Sequence, residues 1–319
     1  MSTASTPPLP SEAGRGGLAP RPQRDSESGL KERCGVRSLP NAPQGPAGWE
    51  AELELCFARQ AGRTVLDRIR HRGPLQVQKA LYPEGGETCH IAVLHPPGGI
   101  AAGDRLRIRA SLGERSHALL TTPGATKWYR SEGRRASQEV HFSLGEEAAL
   151  EWLPRESILF DGANVSMELN VELGLRARYF GWEILGFGRR ASGESWGRGT
   201  LNMQTNIRGA GRLLWSEVAQ LDAASGFAAS PVGLSGFAVC GTFLIAGGDI
   251  DAALLRECRE VRAPAAQSRA GITRVPDVLI ARYLGASTEE VFHWFTNLWT
   301  VLRPALSEKT ACPPRVWAC

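Results

Sequence analysis

Between Met167 and Leu173 apolar and polar residues alternate without a break: Met167, Leu169, Val171 and Leu173 against Glu168, Asn170 and Glu172. A period of two is the signature of a strand with one face on a core and the other on a polar layer. The same pattern starts near Trp49, where Leu53, Leu55 and Phe57 alternate with Glu52, Glu54 and Cys56. Short strand-like runs recur at Ile91–Leu94, Val140–Leu144 and Phe180–Ile184, with Gly and Pro between them. The expectation is a mainly β chain: many short strands in a single layered β domain, with a few helices, the clearest near the C-terminus. No internal repeat is visible, so nothing in the sequence demonstrates a regular solenoid.

Helical signals come late. Ile250, Leu254, Cys258 and Val261 share one face, with Asp249 or Asp251 as the cap. Ser287 and Glu290 have the spacing of a capping box, and Val291, Phe295, Leu298 and Leu302 form the apolar stripe behind it. Pro304 is expected to end that helix. An amphipathic helix of this kind is most often docked on its own core; the alternative is a partner-binding helix.

Residues 1–47 differ in composition. Pro7, Pro8, Pro10, Pro20, Pro22, Pro40, Pro43 and Pro46 crowd a Ser/Gly/Arg-rich stretch without apolar periodicity. It cannot bury a core and is expected to be a disordered leader, or the product of an overextended start site, ahead of a β domain over 48–319. The seven cysteines are widely spaced and include no CxxC pair, which argues against a disulfide framework or structural zinc and fits reduced thiols in the cytoplasm. No apolar stretch approaches the ~20 residues of a membrane span, and no secretory h-region is present. A formal net charge of +4 permits acidic partners without by itself arguing for nucleic acid.

Enzyme signatures are missing: no GxSxG, HExxH, P-loop or kinase set occurs. Gly186-Phe187-Gly188-Arg189-Arg190-Ala191 matches a dinucleotide fingerprint, but Gly193, Gly197 and Gly199 follow, and the fingerprint needs a helix there. Thr121 to Lys127 lacks the two-glycine frame of a phosphate loop and reads as a turn led by Pro123-Gly124. The basic run Lys127, Arg130, Arg134 and Arg135, interleaved with Trp128 and Tyr129, suits a solvated loop or a charged partner surface better than nucleic acid.

Metal chemistry is a separate matter. Cys89, His90 and His95 cluster, yet adjacent strand residues point to opposite faces, so no tight metal site is expected from them. Glu151, Glu156 and Asp161 lie in one short segment and Asp104 in a Gly-flanked turn. Oxygen and imidazole groups spaced along a path can hold a divalent ion weakly and pass it on, where a closed cage would trap it. Most single carboxylates only cap turns or pair with arginine.

His95-Pro96-Pro97-Gly98-Gly99-Ile100-Ala101-Ala102-Gly103-Asp104-Arg105-Leu106 resembles the Pro-Pro-Gly-Gly…Gly-Asp signature of the UreD (UreH) family of urease accessory proteins. Thr121–Ser131, Glu151–Glu156 with Phe160–Ala163, Gly181–Glu183 with Gly193-Glu194, and Leu298-Trp299 to Arg303-Pro304 with Pro314–Trp317 are similar to further blocks of the same family, in order, from about Trp49 to Trp317. The resemblance implies a largely β scaffold that catalyses nothing and has no tightly bound cofactor. It implies binding to UreF and through it to the UreG GTPase, a heterodimer with UreF that dimerises, docking on apo-urease, and transient passage of Ni(2+). It implies no membrane and no nucleic-acid partner. On that basis Glu84, Asp104, Glu151, Glu156, Asp161, Glu183 and Glu194 are candidates for a nickel path. Asp161 and Glu194 come first, having no obvious structural requirement in the sequence. Trp294, Phe295, Leu298, Trp299 and Trp317 are candidates for UreF contact. The alternatives are a cupin-like metal-dependent β-barrel enzyme using His90 and His95, and a nucleic-acid-binding β module using Lys127 to Arg135.

Overall fold

The computed structural model describes residues 48–263 and 267–318; the expected leader over 1–47 lies outside them. β1 (Glu50–Gln60) and β2 (Arg63–Arg72) form an antiparallel hairpin in a first sheet. The chain crosses to a second sheet through β3 (Gln76–Val77), β4 (Thr88–Leu94) and β5 (Gly99–Ile100), and returns for β6 (Arg105–Leu112). It then alternates. β7 (His117–Thr121) and β8 (Thr126–Trp128) lie in the second sheet and β9 (Ala136–Leu144) in the first; β10 (Ala149–Trp152) and β11 (Ser157–Leu159) in the second and β12 (Ala163–Leu173) in the first. β13 (Arg178–Phe187) is in the second, and the hairpin β14 (Gly199–Gly209) and β15 (Arg212–Asp222) ends the first. β16 (Val239–Ala246), β17 (Arg269–Val275) and β18 (Val278–Gly285) complete the second sheet as antiparallel strands.

Equivalent strands of successive coils pair in parallel: β1, β6, β9, β12 and β14 in one sheet, β4, β7, β10 and β13 in the other. The coils are in register, so Ile108, Val140 and Leu169 stand side by side. The turns at one end differ in length, from three residues (160–162) to eleven (188–198), and that hides the coil from a search for sequence repeats. Segments 101–104, 129–135, 160–162 and 188–198 turn from the second sheet to the first at one end. Segments 113–116, 145–148 and 174–177 turn back at the other.

Three layers result. Val165, Met167 and Val171 of β12 pack inward with Leu150 and Trp152 of β10 between the two sheets. The opposite face of β12 carries an amide ladder: Asn206 donates to Asn170 at 3.1 Å, and Asn170 to Glu168 at 2.6 Å. The second sheet has no such polar face. Phe180, Trp182 and Ile184 turn away from the first sheet and pack with Phe243, Tyr283 and two helices. Gly181 is required there, because a Cβ would sit 1.9 Å from the Tyr179 hydroxyl.

The helices are α1 (Ala252–Glu260), capped by Asp251, which accepts from the Leu254 N–H at 2.7 Å, and α2 (Thr288–Ser307). Ser287 caps α2 by accepting from the Glu290 N–H, whereas Glu290 takes a proton donor from Tyr283 at 3.0 Å. Pro304 does not end α2, contrary to expectation. It lies on the exposed side of the last turn, where the ring forfeits one backbone bond, and Arg303 and Leu306 hold the inner side; Glu308 closes the helix in the left-handed region. The Pro96–Gly99 turn is formed as expected, with Gly98 at φ 73° and its N–H on the His95 carbonyl at 2.8 Å.

Candidate functional site

Two features sit on opposite faces of the second sheet. The first is a buried ionic cluster beneath α2. His117 of β7 and Glu151 of β10 project toward the helix layer, as do Leu119 and Phe180 beside them. The Glu151 carboxylate meets His117 Nε2 at 2.6 Å and accepts from Trp299 Nε1 at 2.5 Å and Arg303 Nε at 3.0 and 3.1 Å. The same guanidinium grips Glu84 with both terminal nitrogens, at 2.8 and 2.7 Å, and also donates to the Thr310 carbonyl. Glu84 in turn meets His90 Nε2 at 2.6 Å. Glu151 and Arg303 are fully buried. Burial pushes the Glu84 carboxyl up, but hydrogen bonds from His90 and Arg303 outweigh it and hold the group at about 2. Burial likewise opposes ionisation of Glu151, and His117, Arg303 and Trp299 together keep its carboxyl below the usual range. The arrangement joins β4, β7, β10, α2 and the C-terminal tail.

The second feature lies between the sheets. A cavity of about 180 Å³ is lined by His95, Gly98, Gly99 and the Thr122–Thr126 turn, and a second of about 120 Å³ by Met167, Met203, Cys240 and Thr242. Both are also lined by Gln138, Trp152 and Glu183. Glu183 points there because it neighbours Trp182, which faces the helices. Its Oε1 has no hydrogen-bond partner, and burial pushes its carboxyl up to about 8, with a Ser157 hydrogen bond offsetting part of the shift. Burial also depresses the His95 imidazole. At the second cavity Arg282 of the second sheet bridges to Glu217 of the first at 2.8 Å.

The other expected path residues have local work. Asp161 accepts from the Gly197 and Arg198 N–H groups at 2.9 and 2.8 Å and from both forks of Arg198. Glu194 accepts from the Asp161 N–H at 3.1 Å and pairs with Arg189 at 2.7 Å. Both therefore have a structural requirement the sequence did not reveal: they lock the 188–198 turn to the 160–162 turn. Neither lines the two cavities between the sheets. Asp104 accepts from the Trp49 and Ala101 N–H groups, each at 2.8 Å, and Glu156 pairs with Arg155 at 3.4 Å.

The residues expected as a contact surface on α2 face this chain's own second sheet. Trp294, Phe295, Leu298 and Trp299 are buried against the second sheet because the apolar stripe docks on Trp182 and Phe243. Trp317 is half-buried, 5.0 Å from Phe292 and hydrogen-bonded to Thr121. The cupin-like arrangement is corrected: His90 faces the helix layer with Glu84, whereas His95 lines the cavity between the sheets. Among the described residues no group of three His, Cys, Asp or Glu is placed to hold a metal ion, and no helix is long and apolar enough to cross a membrane. The fingerprint-like glycines open only the three-residue 3-10 turn Arg190–Ser192.

Sequence reasoning missed His117, Gln138 and Arg303. Arg303 alone left a trace, as a charge following Leu302 on the inner side of an apolar stripe.

Comparison with known proteins settles the class. The sequence model described as UreD urease accessory protein matches residues 50–318. The relatives named urease accessory protein UreD include those of Dechloromonas aromatica (50% identical over 278 residues, 86% of this chain and 96% of that one) and Janthinobacterium sp. (48% over 269 residues, 84% and 91%). That of Azoarcus sp. is 48% identical over 270 residues, 85% of this chain and 94% of that one. The class is thus an accessory protein of urease, a name that denotes a helper and not a catalyst. The chain belongs to the UreD family.

Proposed function

We propose that this chain is a non-catalytic scaffold for GTP-dependent nickel insertion into apo-urease in the cytoplasm. It binds UreF, reaches UreG through UreF, and passes nickel between its two sheets. Nickel is cargo here and not a resident cofactor. The observation that carries the reading is Glu183, a carboxyl with an unpartnered buried oxygen that lines both intersheet cavities. A single carboxyl in a passage beside an amide (Gln138) and a thiol (Cys240), which gives up its proton as the cation arrives, offers a divalent ion a brief oxygen ligand without a cage that retains it. Asp161 and Glu194 are proposed to serve the passage indirectly, by fixing the turns at its end.

The test is coexpression of urease and its accessory proteins with this chain as wild type, Glu183→Gln or Asp161→Ala. Nickel per purified urease is measured, with assembly of the accessory complex monitored in parallel. Loss of nickel in the Glu183→Gln strain with intact assembly is expected. Full nickel occupancy there would overturn the path through Glu183.

A further inference from the structure

The turns at one end of the coil stack carry a charge pattern that neither the ionic cluster nor the cavities use. Segment 129–135 bears Arg130, Arg134 and Arg135 against Glu132, and segment 188–198 bears Arg189, Arg190 and Arg198 against Glu194. They are brought together around Asp161. Arg198 takes its carboxylate, Arg130 approaches the same oxygen at 3.9 Å, and Asp161 receives the Glu194 carboxylate on its N–H while Arg189 holds Glu194. One negative charge therefore faces two guanidinium groups at Asp161. Arg135 and Arg190 are exposed and have no ion-pair partner among the described residues. The opposite end differs: Glu114, Glu146 and Glu147 there stand against Arg115 and Arg176.

We infer that this arginine-bearing end is a docking face for a carboxylate-rich segment of a protein partner. The inference goes beyond the nickel reading and does not depend on it. Planar guanidinium forks held by folded turns suit carboxylates, which they grip with two parallel bonds, as Arg189 already does with Glu194; Arg198 sets two of its nitrogens on one oxygen of Asp161. A nucleic-acid strand would also need open aromatic faces on which bases stack. The aromatic rings here are occupied: Arg189 lies 4.6 Å over Phe160, whose ring meets Tyr129 edge-on at 5.2 Å.

The experiment uses the full chain with poly-L-glutamate as probe, a single-stranded DNA oligonucleotide of matched charge as competitor, and hydrogen exchange to locate the contact. Arg135→Glu/Arg190→Glu removes exposed charges that no internal pair uses, so folding is retained. Arg256→Glu/Arg274→Glu, exposed on α1 and β17, is the control. The expected result is salt-dependent poly-L-glutamate binding that protects 129–135 and 188–198. It weakens about tenfold or more in the first variant and little in the control. Absence of binding, equal loss in both variants, or protection elsewhere would overturn the inference. Tighter binding of the oligonucleotide at the same turns would overturn it in favour of nucleic acid.

Discussion

Replacing Arg303 with methionine keeps most of the side-chain volume and removes the one cation that spans Glu84 and Glu151. In the wild type four short contacts, from 2.7 to 3.1 Å, distribute that charge over two carboxylates. Without it Glu151, fully buried, retains only His117 and Trp299, and Glu84 retains His90. Breaking a buried pair from one side costs about 3–5 kcal/mol, because the remaining charge stays desolvated. Arg303→Lys keeps the charge but cannot reproduce the fork, so a smaller loss of about 1–3 kcal/mol is expected. The triple variant Glu84→Gln/Glu151→Gln/Arg303→Met removes both carboxylates together with the guanidinium and should recover much of the stability, since neutral replacement of a buried ion pair is often tolerated. The assay is urea unfolding followed by tryptophan fluorescence, with Trp299 inside the cluster. A loss below about 1 kcal/mol for Arg303→Met, or a triple variant no better than the single one, would refute the account of the cluster as a charge-neutralising clamp.

Two more outcomes follow from the site. Glu183 has its folded value raised to about 8, so the folded state holds a proton that the unfolded chain releases at lower pH; stability should fall as pH rises from about 4.5 to 8 and then level off. Glu183→Gln should flatten that slope and be the more stable protein above pH ~8, and equal slopes in urea titrations would refute it. Asp161→Ala should speed amide exchange at Gly197 and Arg198 about tenfold or more, reflecting about 1–2 kcal/mol of lost loop anchoring, with exchange in β12 unchanged; unaltered exchange at both amides would show that the carboxylate does not lock the turn.

Much of the fold was legible because β1 and β12 have one core face and one polar face, and period two reports that difference directly. β10 was not legible as a strand between two interiors. Its Leu150 and Trp152 meet the first sheet, while Glu151 enters an ionic cluster whose partners are 34 and 152 residues away. Nothing local announces such pairs. Asp161 and Glu194 were selected because no sequence signal explained them. Their partners lie in turns, and the backbone N–H groups they bind leave no imprint on residue type. The apolar stripe of α2 was read correctly as a stripe, but whether it meets its own sheet or another chain depends on the second face of β13, which is equally apolar.

That second face has a consequence for how the sequence can vary in length. A strand with a solvent side tolerates a slipped residue at a cost on one side only. β10 and β13 have no solvent side. Moving β10 along by one residue would place Trp152 among the charges under α2 and Glu151 among the aliphatic side chains between the sheets; in β13 the same slip would exchange Trp182 with Glu183. Insertions and deletions are therefore expected at the end that carries the 129–135 and 188–198 turns; the opposite turns are held at four residues each, with Ser116, Ala148 and Ala177 buried. One end can diversify in shape and charge while the middle keeps count.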